Sequence, residues 1–200
     1  SNPVGYYFNG IVNGGVVDSN PITRIESAPL ASPFLALDIN NSYDIVGFGK
    51  SGGNTLAWQR DLEQGLSLLG STGLAATGTA AEARALNTNG VVAGVAVTSA
   101  GRRAFRVAPG ETLLTDLGTA AVPRFNAASE ANAINDLGAI VGSLFDSSGN
   151  RRAMLHESGK MQALFDGVDD TNSVAHGINA FGQVVGRSSA FAAGDQALSF

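Results

Sequence analysis

A short pattern occurs four times in this chain and limits the folds open to it. Each copy has an Asn that follows an apolar residue, and a Gly seven positions later that follows an apolar run. Successive Asn residues lie 47, 48 and 44 positions apart. A period of this length identifies a repeat protein, so the recurring Asn and Gly residues are predicted to be structural. They are Asn40 and Gly47, Asn87 and Gly94, Asn135 and Gly142, and Asn179 and Gly186.

Each repeat carries apolar runs that predict about four short antiparallel strands. In the third copy, Asn135 and Gly138 lie in a polar turn between two such runs, because Asn binds turn amides and Gly accepts positive φ. A small residue and a large apolar one follow each repeat Gly after ten or eleven positions and mark a second strand. Two further apolar runs complete the unit. The markers are Ala57-Trp58, Ala104-Phe105, Ala153-Met154 and Ala197-Leu198.

Four strands in 44 to 48 residues are typical of a propeller blade. The chain is therefore predicted to be an all-β repeat protein of four-stranded antiparallel units, most simply a four- or five-bladed β-propeller. An open stack of β-repeats or a β-solenoid is the alternative. High Gly content, with 26 residues, and only 14% charged residues agree with short strands and tight turns. Most of the hydrophobic stabilisation should come from stacking of neighbouring sheets.

The repeats predict one domain over residues 1–200. A half repeat covers about 4–36, full repeats cover about 37–84, 85–132 and 133–176, and a partial repeat covers 177–200. The N-terminal half repeat is inferred because Phe8 lies 50 residues before Trp58. Pairing of the first and last segments in one sheet would close a ring and hide its edges.

Charge and hydropathy argue against nucleic-acid binding and against a membrane-spanning segment. With 12 basic and 17 acidic residues the net charge is −5, which disfavours nucleic-acid binding. No apolar run of about 18 residues occurs, so no membrane span is predicted. The pairs Arg102-Arg103 and Arg151-Arg152 are predicted to be solvated loop residues. There is no Cys, so neither a disulfide nor a thiolate metal site is expected.

No catalytic constellation recurs, so the chain is predicted not to be an enzyme. His156 and His176 lie 20 positions apart and are expected to be ordinary structural or surface residues. A hydrolase or lyase acting on extracellular polysaccharide is the alternative, but it needs gathered carboxylates. The candidate acids are scattered in the sequence, and alignment of the repeats gives no shared axial acid. They are Asp38, Asp44, Glu63, Glu82, Glu130 and Asp136.

Two further sites are candidates for ligand binding. Asp166, Asp169 and Asp170 fall in one Gly-containing loop and are candidate calcium ligands, although a solvated turn is the simpler interpretation. No other cofactor is expected. Tyr43 replaces a turn Gly of the other copies and is a candidate surface-binding residue. Trp58 aligns with apolar residues of the other copies, which predicts core packing.

The order of these motifs resembles that of the HAF repeat family of bacterial extracellular proteins. Its units read roughly Ile-Asn-x-x-Gly-x-Val-Val-Gly, then His-Ala-Phe, then Asp-Leu-Gly, and the matches include Ile178-Asn179, Ala104-Phe105 and Asp116-Leu117-Gly118. The family His is absent, so no role of that His carries over. The resemblance implies a secreted or cell-surface protein and no transferable chemistry. The positions of that His hold Leu56, Arg103, Arg152 and Gln196.

Together these features predict a secreted, non-enzymatic β-repeat protein of the cell surface or extracellular matrix. It would act as a binding or self-assembly module, with an extracellular glycan, a surface protein or a second copy as partner. Incomplete terminal repeats favour self-assembly because unpaired strand edges recruit other chains.

Overall fold

The structure is a computed structural model that describes residues 4–8, 12–16, 23–25, 29–70, 80–119, 125–164, 172–189 and 196–199. Those residues form eighteen strands and no helix, hence no helix long and apolar enough to cross a membrane. The strands are β1 (Val4–Phe8), β2 (Val12–Val16), β3 (Thr23–Arg24), β4 (Ala31–Ile39), β5 (Ile45–Ser51), β6 (Asn54–Asp61), β7 (Gly65–Leu68), β8 (Ala81–Leu86), β9 (Val92–Thr98), β10 (Gly101–Val107), β11 (Thr115–Asp116), β12 (Ala128–Ile134), β13 (Ile140–Phe145), β14 (Arg151–Glu157), β15 (Lys160–Ala163), β16 (Ser173–Ile178), β17 (Val184–Ser188) and β18 (Gln196–Ser199).

The described strands form five antiparallel sheets in which neighbours in space are also neighbours in sequence. Sheet 1 is β1–β3, sheet 2 is β4–β7, sheet 3 is β8–β11, sheet 4 is β12–β15 and sheet 5 is β16–β18. The predicted all-β class and four-stranded antiparallel unit are confirmed. Each of sheets 2 to 5 takes its first strand from the apolar run before the repeat Asn. A sheet therefore begins one strand earlier than the repeat defined from the sequence.

The sheets stack face to face in chain order. The second and third strands of sheets 2, 3 and 4 pack against the first strand of the next sheet. Apolar clusters fill these junctions. One joins Val46 and Ala57 of sheet 2 to Ala83 and Phe105 of sheet 3. Burial between sheets is thus the main hydrophobic interaction, as the sequence predicts.

In the described parts of the chain, the first and last strands belong to two separate three-stranded sheets and do not pair with each other. In sheet 1, Gly5 lies opposite Gly15, in the register that Gly47 has with Trp58. Sheet 1 therefore corresponds to the second, third and fourth strands of a full sheet. With Gly5 placed as Gly47, Gly15 rather than Phe8 holds the position of Trp58. The half repeat over about 4–36 stays a prediction. Sheet 5 corresponds to the first three strands.

Candidate functional site

The repeat Asn side chains shape the turn between the first and second strands of each sheet. Oδ1 of Asn87 accepts hydrogen bonds from the amides of Asn89 at 3.1 Å and Val91 at 2.9 Å. The equivalent pair of bonds occurs at the other three repeat Asn residues. One side-chain oxygen thus holds two turn amides that would otherwise have no partner in the hairpin.

The same side chains also link neighbouring sheets. Nδ2 of Asn40 donates to the main-chain oxygen of Asn87 at 3.2 Å, Asn87 donates to that of Asn135 at 3.0 Å, and Asn135 donates to that of Asn179 at 3.1 Å. We call this row the Asn ladder. The turn role could be predicted from the sequence, but the cross-sheet bond could not, because donor and acceptor belong to different repeats.

The repeat Gly residues lie opposite a β-bulge in the first strand of their sheet. The bulge aims a carbonyl oxygen at each Gly, so an added Cβ would lie 2.0 Å from the oxygen of Glu82 at Gly94 and 2.0 Å from that of Glu130 at Gly142. No Cβ tolerates such a distance, so only Gly fits. These structural residues position the turns that line the cleft described next.

A cleft of about 460 Å³ lies between sheets 2 and 3, beside the Asn ladder. The volume is within the usual range for small-ligand sites. Its walls come from the turn after β4, the turn between β6 and β7, and the two facing turns of sheet 3. The aliphatic side chains that line it are Val46, Leu62, Leu86, Val92 and Pro109.

Among the residues that the structure describes, three carboxylates line this cleft, and no Lys, Arg or His side chain does. Oδ2 of Asp44 accepts a bond from Nδ2 of Asn40 at 2.9 Å, and Oδ1 of Asp61 accepts the amides of Glu63 and Gln64. These bonds fix two of the carboxylates in place while Glu63 stays exposed. The cleft therefore combines fixed negative charge with an apolar lining.

Tyr43 occupies the left-handed turn position held by Gly in the other repeats. Its φ is 65°, against 77° at Gly90 and 83° at Gly138. Its side chain is 44% exposed and it lies between Ser42 and Asp44, which line the cleft. Tyr43 does not itself line the cleft, so its role in surface binding stays a prediction.

A second polar group lies on the first strands of sheets 3 and 4. Arg84, a residue of the bulge in β8, binds Glu82 at 2.8 Å and Glu130 at 3.0 Å. It also donates to Oδ1 of Asn132 at 3.0 Å, and Arg102 forms a further ion pair with Glu130. The bulge directs Arg84 across the junction because an extra residue re-aims the side chain.

Glu82 and Glu130 occupy the same position in two repeats. Both lie five residues before the repeat Asn, and Arg84 brings them together. Because these ion pairs connect the first strands of sheets 3 and 4, the group joins two sheets. The expected lack of a shared axial acid stays a prediction.

The expectation of solvated Arg pairs is wrong for Arg152. This side chain is 4% exposed and lies over the ring of Phe125, with 4.7 Å from the guanidinium carbon to the ring centre. Arg103 donates to the main-chain oxygen of Ala127 at 3.0 Å. Both hold the position of the HAF family His, and both contact the segment that leads into sheet 4. Arg103 therefore links sheet 3 to that segment, whereas Arg152 belongs to sheet 4 itself.

The two His residues lie apart, on different sheets. His176 is exposed on β16. His156 is half-buried on β14, where burial lowers its pKa and the nearby positive charge of Arg106 lowers it further. Trp58 is fully buried and stacks on Phe34, with ring centres 4.7 Å apart, which confirms its predicted place in the core.

The calcium candidates Asp166, Asp169 and Asp170 lie outside the described residues, so calcium binding there stays a prediction. Within the described ranges, no group of three or more His, Cys, Asp or Glu side chains is arranged to hold a metal ion.

Comparison with known proteins yields a fold likeness. No protein-family model matches this chain, and no curated protein matches it. Solved structures with a matching fold include TolB from Acinetobacter baumannii, with a TM-score of 0.59 and 12% sequence identity. The match covers 100% of this chain and 51% of the TolB chain, so the present chain spans about half of that protein's length. At this identity the likeness concerns the fold alone, and it agrees with a propeller-type arrangement of the sheets.

Proposed function

We propose that this chain is a non-enzymatic, propeller-type binding module that works at the bacterial cell surface or in the extracellular matrix. The observation that carries the binding role is the cleft between sheets 2 and 3, whose described lining has three carboxylates, apolar side chains and no basic side chain. The extracellular location is supported by the HAF-like order of motifs. Detection of the protein in the surface or secreted fraction of the producing cells would test the location.

The chemistry of the cleft favours a cationic, partly apolar ligand. A Lys or Arg side chain would place its charge near Asp61 and Glu63 and its methylene groups on Leu62 and Val92. Phosphate or sulfate groups would be repelled. We therefore propose a basic segment of a surface protein as the ligand, in preference to an acidic or neutral glycan.

The test compares two double variants that remove the same charge. In the cleft variant, Asp61→Asn is combined with Glu63→Gln, and the Asn oxygen still accepts the two turn amides. In the control variant, Asp116→Asn is combined with Glu157→Gln, because these exposed residues lie outside the cleft. The probes are a peptide of alternating Lys and Val and a matched peptide of alternating Glu and Val.

We expect the Lys peptide to bind the unmodified chain and the control variant, with an affinity that falls as salt rises. The cleft variant should bind it about tenfold more weakly, which corresponds to about 1.4 kcal/mol. Calorimetry measures both affinities. Equal binding by the two variants, or binding of the Glu peptide, would contradict a cationic ligand in this cleft.

A further inference from the structure

Sheet 5 exposes residues whose equivalents in sheets 2, 3 and 4 are buried between sheets. Val185 precedes the repeat Gly and is 54% exposed, whereas Val46, Ala93 and Val141 at the same position are 0% exposed. The marker residue Ala197 is also exposed. Its equivalents Ala57, Ala104 and Ala153 are each 0% exposed.

The Asn ladder changes at the same face. Asn87 and Asn135 are buried and donate to the next sheet. Asn179 is exposed, and its Nδ2 donates to Oε1 of Gln183 in its own turn at 2.7 Å. Val185, Ala197 and Asn179 therefore form one surface, which we call the sheet 5 face.

The junctions between sheets 2 and 3, 3 and 4, and 4 and 5, which we call the three inner junctions, show what kind of segment fits such a face. In each, the first strand of the following sheet covers it with small side chains at alternate positions. Larger side chains would hold the two backbones apart. Ser adds a specific contact, since Oγ of Ser129 accepts the amide of Ala104 and Oγ of Ser173 accepts that of Ala153, each at 3.0 Å. The small residues are Ala81, Ala83, Ser129, Ala131, Ser173 and Ala175.

We propose that the sheet 5 face binds an extended segment of a partner polypeptide with Ser or Ala at alternate positions, followed by Ile-Asn or Leu-Asn. The segment lies where a first strand lies in the inner junctions. Its Asn main-chain oxygen accepts Nδ2 of Asn179, which leaves Gln183. This site is separate from the cleft between sheets 2 and 3 and does not depend on the ligand of that cleft.

The probe is a synthetic peptide that copies residues 127–136, Ala-Ala-Ser-Glu-Ala-Asn-Ala-Ile-Asn-Asp, with a fluorescent label. Anisotropy measures its affinity for the chain and for two variants. Val185→Asp places a charge in the sheet 5 face. Leu137→Asp places the same charge on a turn of sheet 4 where Leu137 is already 77% exposed. Circular dichroism checks that both variants fold, which the exposure of both positions favours.

We expect the unmodified chain to bind the peptide. Val185→Asp should weaken this binding at least tenfold, whereas the affinity of Leu137→Asp should stay within about twofold of that of the unmodified chain. The peptide with Ala131→Leu should also bind at least tenfold more weakly, because the larger side chain cannot enter the junction. No binding, or equal binding by Val185→Asp or by the Leu peptide, would overturn the proposal. Light scattering provides a further test. A concentration-dependent oligomer that becomes a monomer in Val185→Asp would also overturn the proposal, because the occupant of the face would then be a second copy of the chain.

The two proposals fail separately. The variant with Asp61→Asn and Glu63→Gln should keep full affinity for the strand peptide, since the cleft lies between sheets 2 and 3. If the unmodified chain binds the strand peptide but not the Lys peptide, the cleft proposal alone is refuted. If it binds the Lys peptide but not the strand peptide, the sheet 5 proposal alone is refuted.

Discussion

At the residue scale, the chain uses Gly for two different physical reasons. The turn residue Gly138 has a φ of 83° and open space around its Cα, so it is needed for its backbone conformation. Gly142 is needed for space, because an added Cβ would lie 2.0 Å from the carbonyl oxygen of Glu130. The sequence shows both as recurring Gly residues. It does not show the second reason, because the bulge that creates it belongs to another strand.

This difference predicts unequal costs for the same substitution. Gly142→Ala should lower the free energy of unfolding by at least about 3 kcal/mol, since backbone must move to relieve the clash. Gly138→Ala should cost about 1 kcal/mol, the usual price of a non-Gly residue at positive φ. Urea denaturation of both variants measures the two values. Equal losses would show that the bulge adapts to a methyl group.

Also at this scale, the structure accepts a Tyr where the other repeats use Gly. The positive φ of Tyr43 carries a steric strain, which the Gly residues at the equivalent positions of the other turns avoid. Such strain is concentrated at functional positions in many proteins. Together with two flanking residues that line the cleft, it keeps Tyr43 among the candidates for surface binding.

At the element scale, each junction between sheets combines apolar burial with directed polar contacts. The Asn ladder gives each of the three inner junctions one side-chain bond. The junction between sheets 3 and 4 adds the ion pairs of Arg84 and Arg102 with Glu130. The repeat period alone predicts the apolar burial at the junctions between sheets. The ion pairs arise from residues that differ between repeats, so only the folded register brings them together.

The ladder predicts that Asn135 and Asn179 respond differently to substitution by Asp. Both Asp variants keep the side-chain oxygen that accepts hydrogen bonds from two turn amides. Asn135→Asp replaces a buried donor to the Asn179 oxygen with a second acceptor, and should cost about 2 to 4 kcal/mol at neutral pH. Asn179→Asp faces Gln183, whose amide can rotate and donate, so its cost should be below about 1 kcal/mol.

Thermal and urea unfolding of the two variants measure this difference. The position of Asn179 in an identical turn makes it the matched control for the turn itself. Similar losses at both positions would mean that the turn bonds alone carry the contribution of the repeat Asn, and that the cross-sheet bond adds nothing.

At the scale of the whole molecule, the sequence predicted the class of fold more fully than its surfaces. Hydrophobic periodicity and turn residues act within a repeat, so the strands and their antiparallel order could be read from them. The cleft combines turns from two repeats. Of its carboxylates Asp44, Asp61 and Glu63, only Asp61 has an acidic equivalent in another repeat, Glu157, so the repeat pattern does not reveal the group. The arrangement of the terminal segments depended on strand register, which the spacing of Phe8 and Trp58 did not reveal.

The dependence of stability on pH is a property of the whole chain, and two half-buried groups contribute to it in opposite directions. The pKa of His156 is below its ordinary value of 6.5, so the folded state favours the neutral ring. The contribution of His156 to the free energy of unfolding is complete above pH 6.5. It is lost as the pH falls through 6.5 towards the folded pKa. Burial raises the pKa of Asp38 above 3.8, against the lowering effect of bonds from the amides of Leu86 and Ile39.

The sign for Asp38 follows from the same linkage. Its protonated form is favoured in the folded state, so its contribution is complete below 3.8 and is lost as the pH rises through the folded pKa. Stability should therefore fall twice: on acidification through the range of His156, and on raising the pH from 3.8 through the range of Asp38.

His156→Gln should reduce the loss of stability that begins as the pH falls through 6.5. Asp38→Asn should reduce the change just above pH 3.8, while Asn still offers an oxygen to the Leu86 amide. Urea midpoints measured across this range give the slope for each variant, which is independent of any loss of packing that shifts the whole curve. Asp136 provides an internal contrast, because the exposed carboxylate accepts the amide of Thr88 and its pKa is lowered, so its contribution is present above 3.8 and lost below it. An unchanged slope in His156→Gln would place the acid sensitivity elsewhere in the chain, and an unchanged slope in Asp38→Asn would mean that the bonds from Leu86 and Ile39 offset the effect of burial.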